Sequence, residues 1–325
     1  MGATNSPWGS SGCAVLLAAG AWYFVAAMAQ DAPLTRIERL AFKFAELANE
    51  DPRGKWLQTR FLRGVSYLWV RAGISKRMLV EGLDDLIALK PPSGVMLVAN
   101  HRSFFDSYAM LLAAYMGPIP WTRSLQFPVR SNFFYDRPLG IVINAAIAGG
   151  AMYPPIFRDK ERRVLNDEAL DRMVEILKKP GNVLGMHPEG TRGKGPDPYE
   201  LLPAQPGVGK IALLAKPTVI PAFINGLSNN ALADIAVTRT AKARREAAII
   251  TVFGPPIDYA DLQAEKPRPT LYKKCADRFM AEVKKLAERE RALRAELMAG
   301  GVSDEDPRWL DNRGASKIYA REVPA

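Results

Sequence analysis

Two histidines, His101 and His187, occur in the 325-residue chain, and each lies in a short block of residues able to do chemistry. His101 sits in Asn100-His-Arg-Ser-Phe-Phe-Asp106. A carboxylate that holds one imidazole nitrogen leaves the other free to exchange a proton with a substrate. In a continuous helix, residues five apart would point about 140° from each other. The pairing therefore needs a helix that begins after His101, with Ser103 as its N-cap and Asp106 in its first turn. A plain variant of the capping box between Ser103 and Asp106 fits the same spacing. His187 opens His187-Pro-Glu-Gly-Thr-Arg192. Gly190 would let the backbone approach a ligand closely, and Arg192 offers a fork that matches phosphate oxygens. An ordinary turn built on Pro and Gly has the same composition.

The elements around these blocks have to position them. Both histidines directly follow predicted strands, at 95–98 and 182–185, and strand-end loops of α/β sheets are where sites collect. Further buried strands are predicted at 218–224 and 248–253. Residues 166–178 read as a helix capped by Asn166, with Leu170, Met173, Val174 and Leu177 inward and Pro180-Gly181 closing it. Residues 270–298 read as a long charged helix with a thin stripe through Leu271, Phe279, Val283 and Leu286. Strands separated by helices predict an α/β fold, a mixed β-sheet flanked by helices.

With 44 Lys and Arg against 34 Asp and Glu, the formal charge is +10 and the pI about 9.6, which suits an anionic partner: nucleic acid, a membrane surface or a phosphorylated substrate. At 48% hydrophobic and 24% charged residues the composition excludes disorder, and two cysteines, Cys13 and Cys275, exclude a disulfide scaffold or a Cys-rich zinc module. Residues 13–29 carry no charge. As a helix they would rise roughly 26 Å against a hydrocarbon core of ~30 Å. They fit a membrane anchor, a buried helix or a cleaved leader, although no Lys or Arg precedes them.

Residues 33–48 read as an amphipathic helix with Ile37, Leu40, Ala41, Phe44 and Leu47 on one stripe. From Arg53 to Arg77 there are seven basic residues and no acidic one, interleaved with Trp56, Phe61, Tyr67 and Trp69. Leu57, Phe61, Val65 and Leu68 recur at helical spacing. This describes a helix lying in the plane of a bilayer surface, or a core helix with a solvated basic face. No nucleic-acid recognition motif accompanies the charges. The uncharged run 139–157 holds Gly149-Gly150 and Pro154-Pro155, so it is expected to form buried or interfacial structure that delivers Arg158 to a site, without spanning a membrane.

His-x4-Asp followed by Pro-Glu-Gly-Thr-Arg resembles the signature of the glycerolipid and lysophospholipid acyltransferases, typified by 1-acyl-sn-glycerol-3-phosphate acyltransferase. Val219-Ile-Pro-Ala-Phe-Ile, Gly150 to Arg158 and Gln205-Pro-Gly-Val-Gly-Lys-Ile-Ala212 are similar to further family blocks, and the resemblance covers about residues 78–258. His187 departs from it, standing where Phe is usual, and Pro154-Pro155 make the middle block atypical. The resemblance implies a glycerol-3-phosphate acyltransferase-like fold. It also implies transfer of an acyl chain from a thioester, on CoA or acyl carrier protein, to a lysophospholipid hydroxyl. Lysophosphatidic acid is the default acceptor and phosphatidic acid the product. His101 would be the general base, Asp106 its orienting partner, and Glu189, Gly190, Thr191, Arg192 and Arg158 would position the acceptor, the two arginines as phosphate ligands. The thioester is already activated, so neither a nucleophilic residue nor a cofactor is implied, and no Gly-x-Ser-x-Gly elbow occurs.

The expected organisation is an N-terminal anchor (1–30), basic interfacial helices (31–77), an acyltransferase domain (78–300) and a surface tail (301–325). The protein is expected at the inner, cytoplasmic membrane with its site on the cytoplasmic side. Its partners would be membrane lipids, the lysophospholipid and the thioester donor, and not nucleic acid. Two other readings use the same residues. His101, Asp106, His187 and Glu189 could assemble a metal site of a lipid or phosphate ester hydrolase, or the chain could be a membrane-binding protein with an inactive site. Gly207-Val-Gly-Lys-Ile-Ala212 matches a relaxed dinucleotide fingerprint but follows a Pro-rich segment instead of a strand.

Overall fold

A computed structural model describes residues 34–116, 119–157, 162–240 and 243–313. The apolar segment 13–29 and Arg158 lie outside these residues. The sheet contains β1 (Met78–Glu81), β2 (Val95–Ala99), β3 (Ser124–Gln126), β6 (Asn182–Met186), β7 (Thr218–Asn225) and β8 (Ile249–Phe253), in the order β1-β8-β7-β2-β6-β3. Only β7 and β8 pair antiparallel, so the sheet is mixed as expected. A two-stranded parallel pair, β4 (Val129–Arg130) with β5 (Pro155–Ile156), stands beside it.

The helices in chain order are α1 (Arg36–Glu50), α2 (Pro52–Phe61), α3 (Tyr67–Ile74), α4 (Leu83–Ala88), α5 (Asp106–Met116), α6 (Ser131–Phe134) and α7 (Pro138–Ala146). They continue with α8 (Arg163–Leu177), α9 (Pro206–Ala215), α10 (Ala231–Thr238), α11 (Ala243–Glu246), α12 (Ala260–Gln263) and α13 (Pro269–Met298).

Central strand β2 is buried throughout because both faces of a mostly parallel sheet are covered. Val95, Leu97 and Ala99 join one core with the α5 residues Tyr108–Leu112 and with Ala45 and Tyr67 from the N-terminal helices. Met96 and Val98 face the other side, where α8, α9 and α13 bring Met173, Ile211 and Phe279. Alternation with period two thus assigns successive β2 side chains to different layers. The Gly-Val-Gly segment lies inside α9, where a Cβ on Gly209 would sit 2.0 Å from the Tyr272 carbonyl oxygen. That glycine lets α9 and α13 touch backbone to backbone and cradles no phosphate.

Two expectations change. Asn166 lies inside α8, which begins at Arg163; its side chain pairs with the backbone N–H and C=O of Phe157 at 2.7 and 2.6 Å. Residues 301–313 are tied into the fold and do not form a surface tail, since Val80 donates to the Arg308 carbonyl and Trp309 and Leu310 are fully buried. The indole N–H of Trp309 finds the Ser303 carbonyl at 2.9 Å, which removes the cost of burying it. On α1 the apolar stripe faces outward, with Ile37, Leu40, Phe44 and Leu47 45–69% exposed and only its Ala41 buried. The buried face instead carries Ala41, Phe42, Ala45 and the acidic Glu38 and Glu46. Arg162 pairs with Glu38 at 2.7 Å, and Arg172 reaches Glu46 and Glu50.

Candidate active site

Parallel strands β2, β6 and β7 end on one edge of the sheet and release three loops side by side. Registers Val98↔Met186 and Ala99↔Ala222 set this alignment. Asn100 locks the first loop to β7, its amide giving and accepting hydrogen bonds at 2.8 Å with the backbone of Ile224. The next residue is His101. Its Nδ1 lies 3.0 Å from Oδ2 of Asp106, the first residue of α5. The same oxygen accepts the backbone N–H groups of Arg102 and Ser103, each at 2.8 Å. Asp106 therefore closes the turn before α5 and holds the imidazole, while the capping box with Ser103 is only half formed. Ser103 does not cap α5 from outside; its hydroxyl donates to the Ser228 carbonyl and accepts from the Phe105 N–H.

A carboxylate accepts, so Nδ1 of His101 carries the hydrogen and Nε2 presents a lone pair. Burial, helped by the nearby Arg192 and Arg130 guanidiniums, pushes His101 down to about 3. It is neutral at pH 7 and able to take a proton. Burial lifts Asp106 to about 6, against the opposing influence of His187 and the two backbone donors, so the carboxylate is ionised at neutral pH.

His187 packs its ring on that of His101, with centroids 4.0 Å apart and planes 9° from parallel. Its Nδ1 donates to the Asn100 carbonyl at 2.8 Å, and Nε2 faces the Ser107 hydroxyl at 3.5 Å. Both nitrogens are thus engaged within the protein, and face-to-face rings do not aim their lone pairs at a common point. Glu189 is likewise committed: one oxygen accepts from the His101 backbone N–H at 2.7 Å, the other from Leu202 N–H at 2.9 Å. Burial raises its pKa and so favours the neutral form. These four residues do not converge as a metal-ligand set. His187 is a plate under His101, and Glu189 clamps the two histidine loops together.

Gly190 follows at φ +62° with its nitrogen bonded to the His187 carbonyl, a conformation that favours glycine. Its own carbonyl accepts from Arg130. Arg192 spends one nitrogen on Asn229 Oδ1 at 2.6 Å, and Thr191 is half-buried. Asn229 also accepts the Phe104 N–H at 2.9 Å, which fixes Arg192 to the turn that carries His101. Sequence reasoning overlooked Arg130 and Asn229. Arg130 arrives through the short β4–β5 pair, whose two-residue strands leave no periodic signal. Beneath the third loop, the buried Arg77 pairs with Asp234, which accepts the backbone and side chain of Ser228 at 3.1 and 2.9 Å. The site is a neutral imidazole with an open Nε2 beside two guanidiniums. It can accept a proton from a hydroxyl carried by an anionic molecule.

Residues 77–225, which contain both histidine loops, match the family model described as Acyltransferase. Among solved structures it is similar to the crystal structure of the 1-acyl-sn-glycerophosphate (LPA) acyltransferase, PlsC, from Thermotoga maritima. The identity is 17% and the TM-score 0.46, over 86% of this chain and 96% of that one. No curated protein matches the chain.

Proposed function

We propose that the protein moves a fatty acyl chain from an acyl thioester, on CoA or acyl carrier protein, to the free hydroxyl of 1-acylglycerol-3-phosphate, yielding phosphatidic acid. The observation that carries this reading is the open Nε2 of a neutral His101, held by Asp106 and flanked by Arg192 and Arg130. The acceptor hydroxyl gives its proton to Nε2 as its oxygen attacks the thioester carbonyl. Asp106 stabilises the imidazolium that forms. Collapse of the tetrahedral intermediate breaks the C–S bond, and the imidazolium returns the proton to the departing thiolate. No resident cofactor or metal takes part. Arg192 and Arg130 hold the acceptor phosphate, joined by Arg158, and Gly190 and Thr191 shape the approach.

The enzyme works at a membrane surface. The outward side chains of α1–α3 and α7 include Leu40, Phe44, Trp56, Trp69 and Leu139, all at least 45% exposed. Lys and Arg are interspersed among them, as an interfacial helix requires. None of the described helices is long and apolar enough to cross a bilayer. The site faces the cytoplasm, where the thioester donors reside. Incubating the protein with oleoyl-CoA and lysophosphatidic acid in detergent micelles should yield phosphatidic acid with EDTA present. Ester hydrolysis that requires a metal and is indifferent to the thioester would contradict the proposal.

A further inference from the structure

A groove of about 550 Å³ lies between α3, α10 and the segment around Asp311, at the far end of α10 from the histidine loops. The two helices are in direct contact, with the buried Thr238 hydroxyl donating to the Gly73 carbonyl at 2.7 Å. Three cations, Arg71, Lys76 and Arg239, line the groove against one carboxylate, Asp311. That carboxylate is engaged already, accepting from Ser75 at 3.3 Å and lying 3.7 Å from Arg71. Lys76 and Arg239 are exposed, and among the described residues no side chain neutralises them. The wall on the α3 side is apolar: Leu68 and Ala72 line the groove, and Leu68 is 57% exposed beside Trp69 at 64%. Cations at one end and apolar side chains at the other complement an amphiphile, whereas a free phosphate or a nucleic acid would leave the Leu68 wall unused.

We infer that this groove binds the headgroup of an anionic phospholipid, as a site separate from the catalytic one; the inference rests on the membrane-surface reading above. The lipid phosphate lies among Arg71, Lys76 and Arg239, and its acyl chains run along Leu68 toward Trp69 and the bilayer. α10 joins the groove to the site, since the turn that starts this helix holds Ser228 and Asn229, the partners of Ser103 and Arg192. Eight residues of helix put the two ends about 12 Å apart, so a lipid seated here does not occupy the acceptor position.

Native mass spectrometry of the full chain from neutral detergent containing phosphatidylglycerol tests this, alongside flotation with vesicles of phosphatidylcholine and phosphatidylglycerol. One phosphatidylglycerol should remain bound per chain. Phosphatidylcholine and glycerol phosphate alone should not. Lys76→Glu with Arg239→Glu should weaken retention at least ~10-fold. Lys284→Glu with Lys285→Glu, an equal charge change on the exposed side of α13, should leave retention unchanged. Equal loss in both double variants, equal retention of phosphatidylcholine, or binding of glycerol phosphate alone would overturn the site. Vesicle flotation separates the two ideas. A wild-type chain that floats while the groove variants retain lipid removes only the groove, and one that floats with no vesicle removes the membrane reading as well.

Discussion

The proton balance of His101 and Asp106 sets the pH behaviour of single residues in the site. Asp106 is ionised above about 6 and neutral below it, so kcat/KM should fall as pH drops through about 6. The titration of Asp106 does not itself weaken the fold along this limb. The native carboxyl binds its proton more readily than an ordinary Asp, so its titration between about 4 and 6 favours the folded state as pH falls. His101 and His187, both pushed down to about 3, work in the other sense. Below about 6.5 the unfolded chain takes up protons that the native rings refuse, so their share of stability is lost between about 6.5 and 3. A pH–rate profile and a pH series of melting curves separate the two effects. At His187, Phe should keep the stack and hold activity within about tenfold, while Ala should lose far more by freeing the His101 ring. The pairing of His101 with Asp106 was legible in their spacing and in the strand before them. That of His187 was not, because one-dimensional spacing cannot distinguish a ring that reacts from a ring that supports it.

Elements carry the next level of specification. The strands were legible because runs such as Val95-Met-Leu-Val are apolar on both faces, and α13 because its stripe repeats over 30 residues. The period of α1 was also legible; the repeat alone identifies an apolar face, and the basic, aromatic-rich run that follows it is what suggested an interface as its cover. Replacing Leu40 and Phe44 by Glu should leave the melting temperature nearly unchanged, since both are exposed, yet abolish flotation with vesicles. The strut beneath the third loop behaves oppositely. Arg77→Met strands the buried Asp234 carboxylate and should cost about 3–5 kcal/mol in denaturant unfolding. It would also loosen Ser228, so residual folded protein should show reduced acyl transfer. Neither partner was singled out from sequence, because 157 residues separate them and only the β1–β8 edge of the fold brings them together.

Across the whole molecule, a single geometric device explains the arrangement. Three parallel strand ends present the His101, His187 and Ser228 loops to one another, and helices of opposite character cover the two faces of the sheet. On one side α9 and α13 seal an ordinary core; on the other, α1–α3 bury an acidic and small-residue face and leave their large apolar residues outside. With a formal charge of +10, association with anionic vesicles should weaken as salt rises, while the apolar part of the attachment persists. The central claim is that an acceptor hydroxyl passes its proton to His101. Acceptor-dependent thiol release from oleoyl-CoA measures that step, comparing wild type with His101→Ala and Asp106→Asn in the same micelles. The account predicts release only with lysophosphatidic acid, unaffected by EDTA, and a fall of about 10²–10⁴ in kcat/KM for His101→Ala with the fold intact. Release that persists in His101→Ala at the wild-type rate would contradict it.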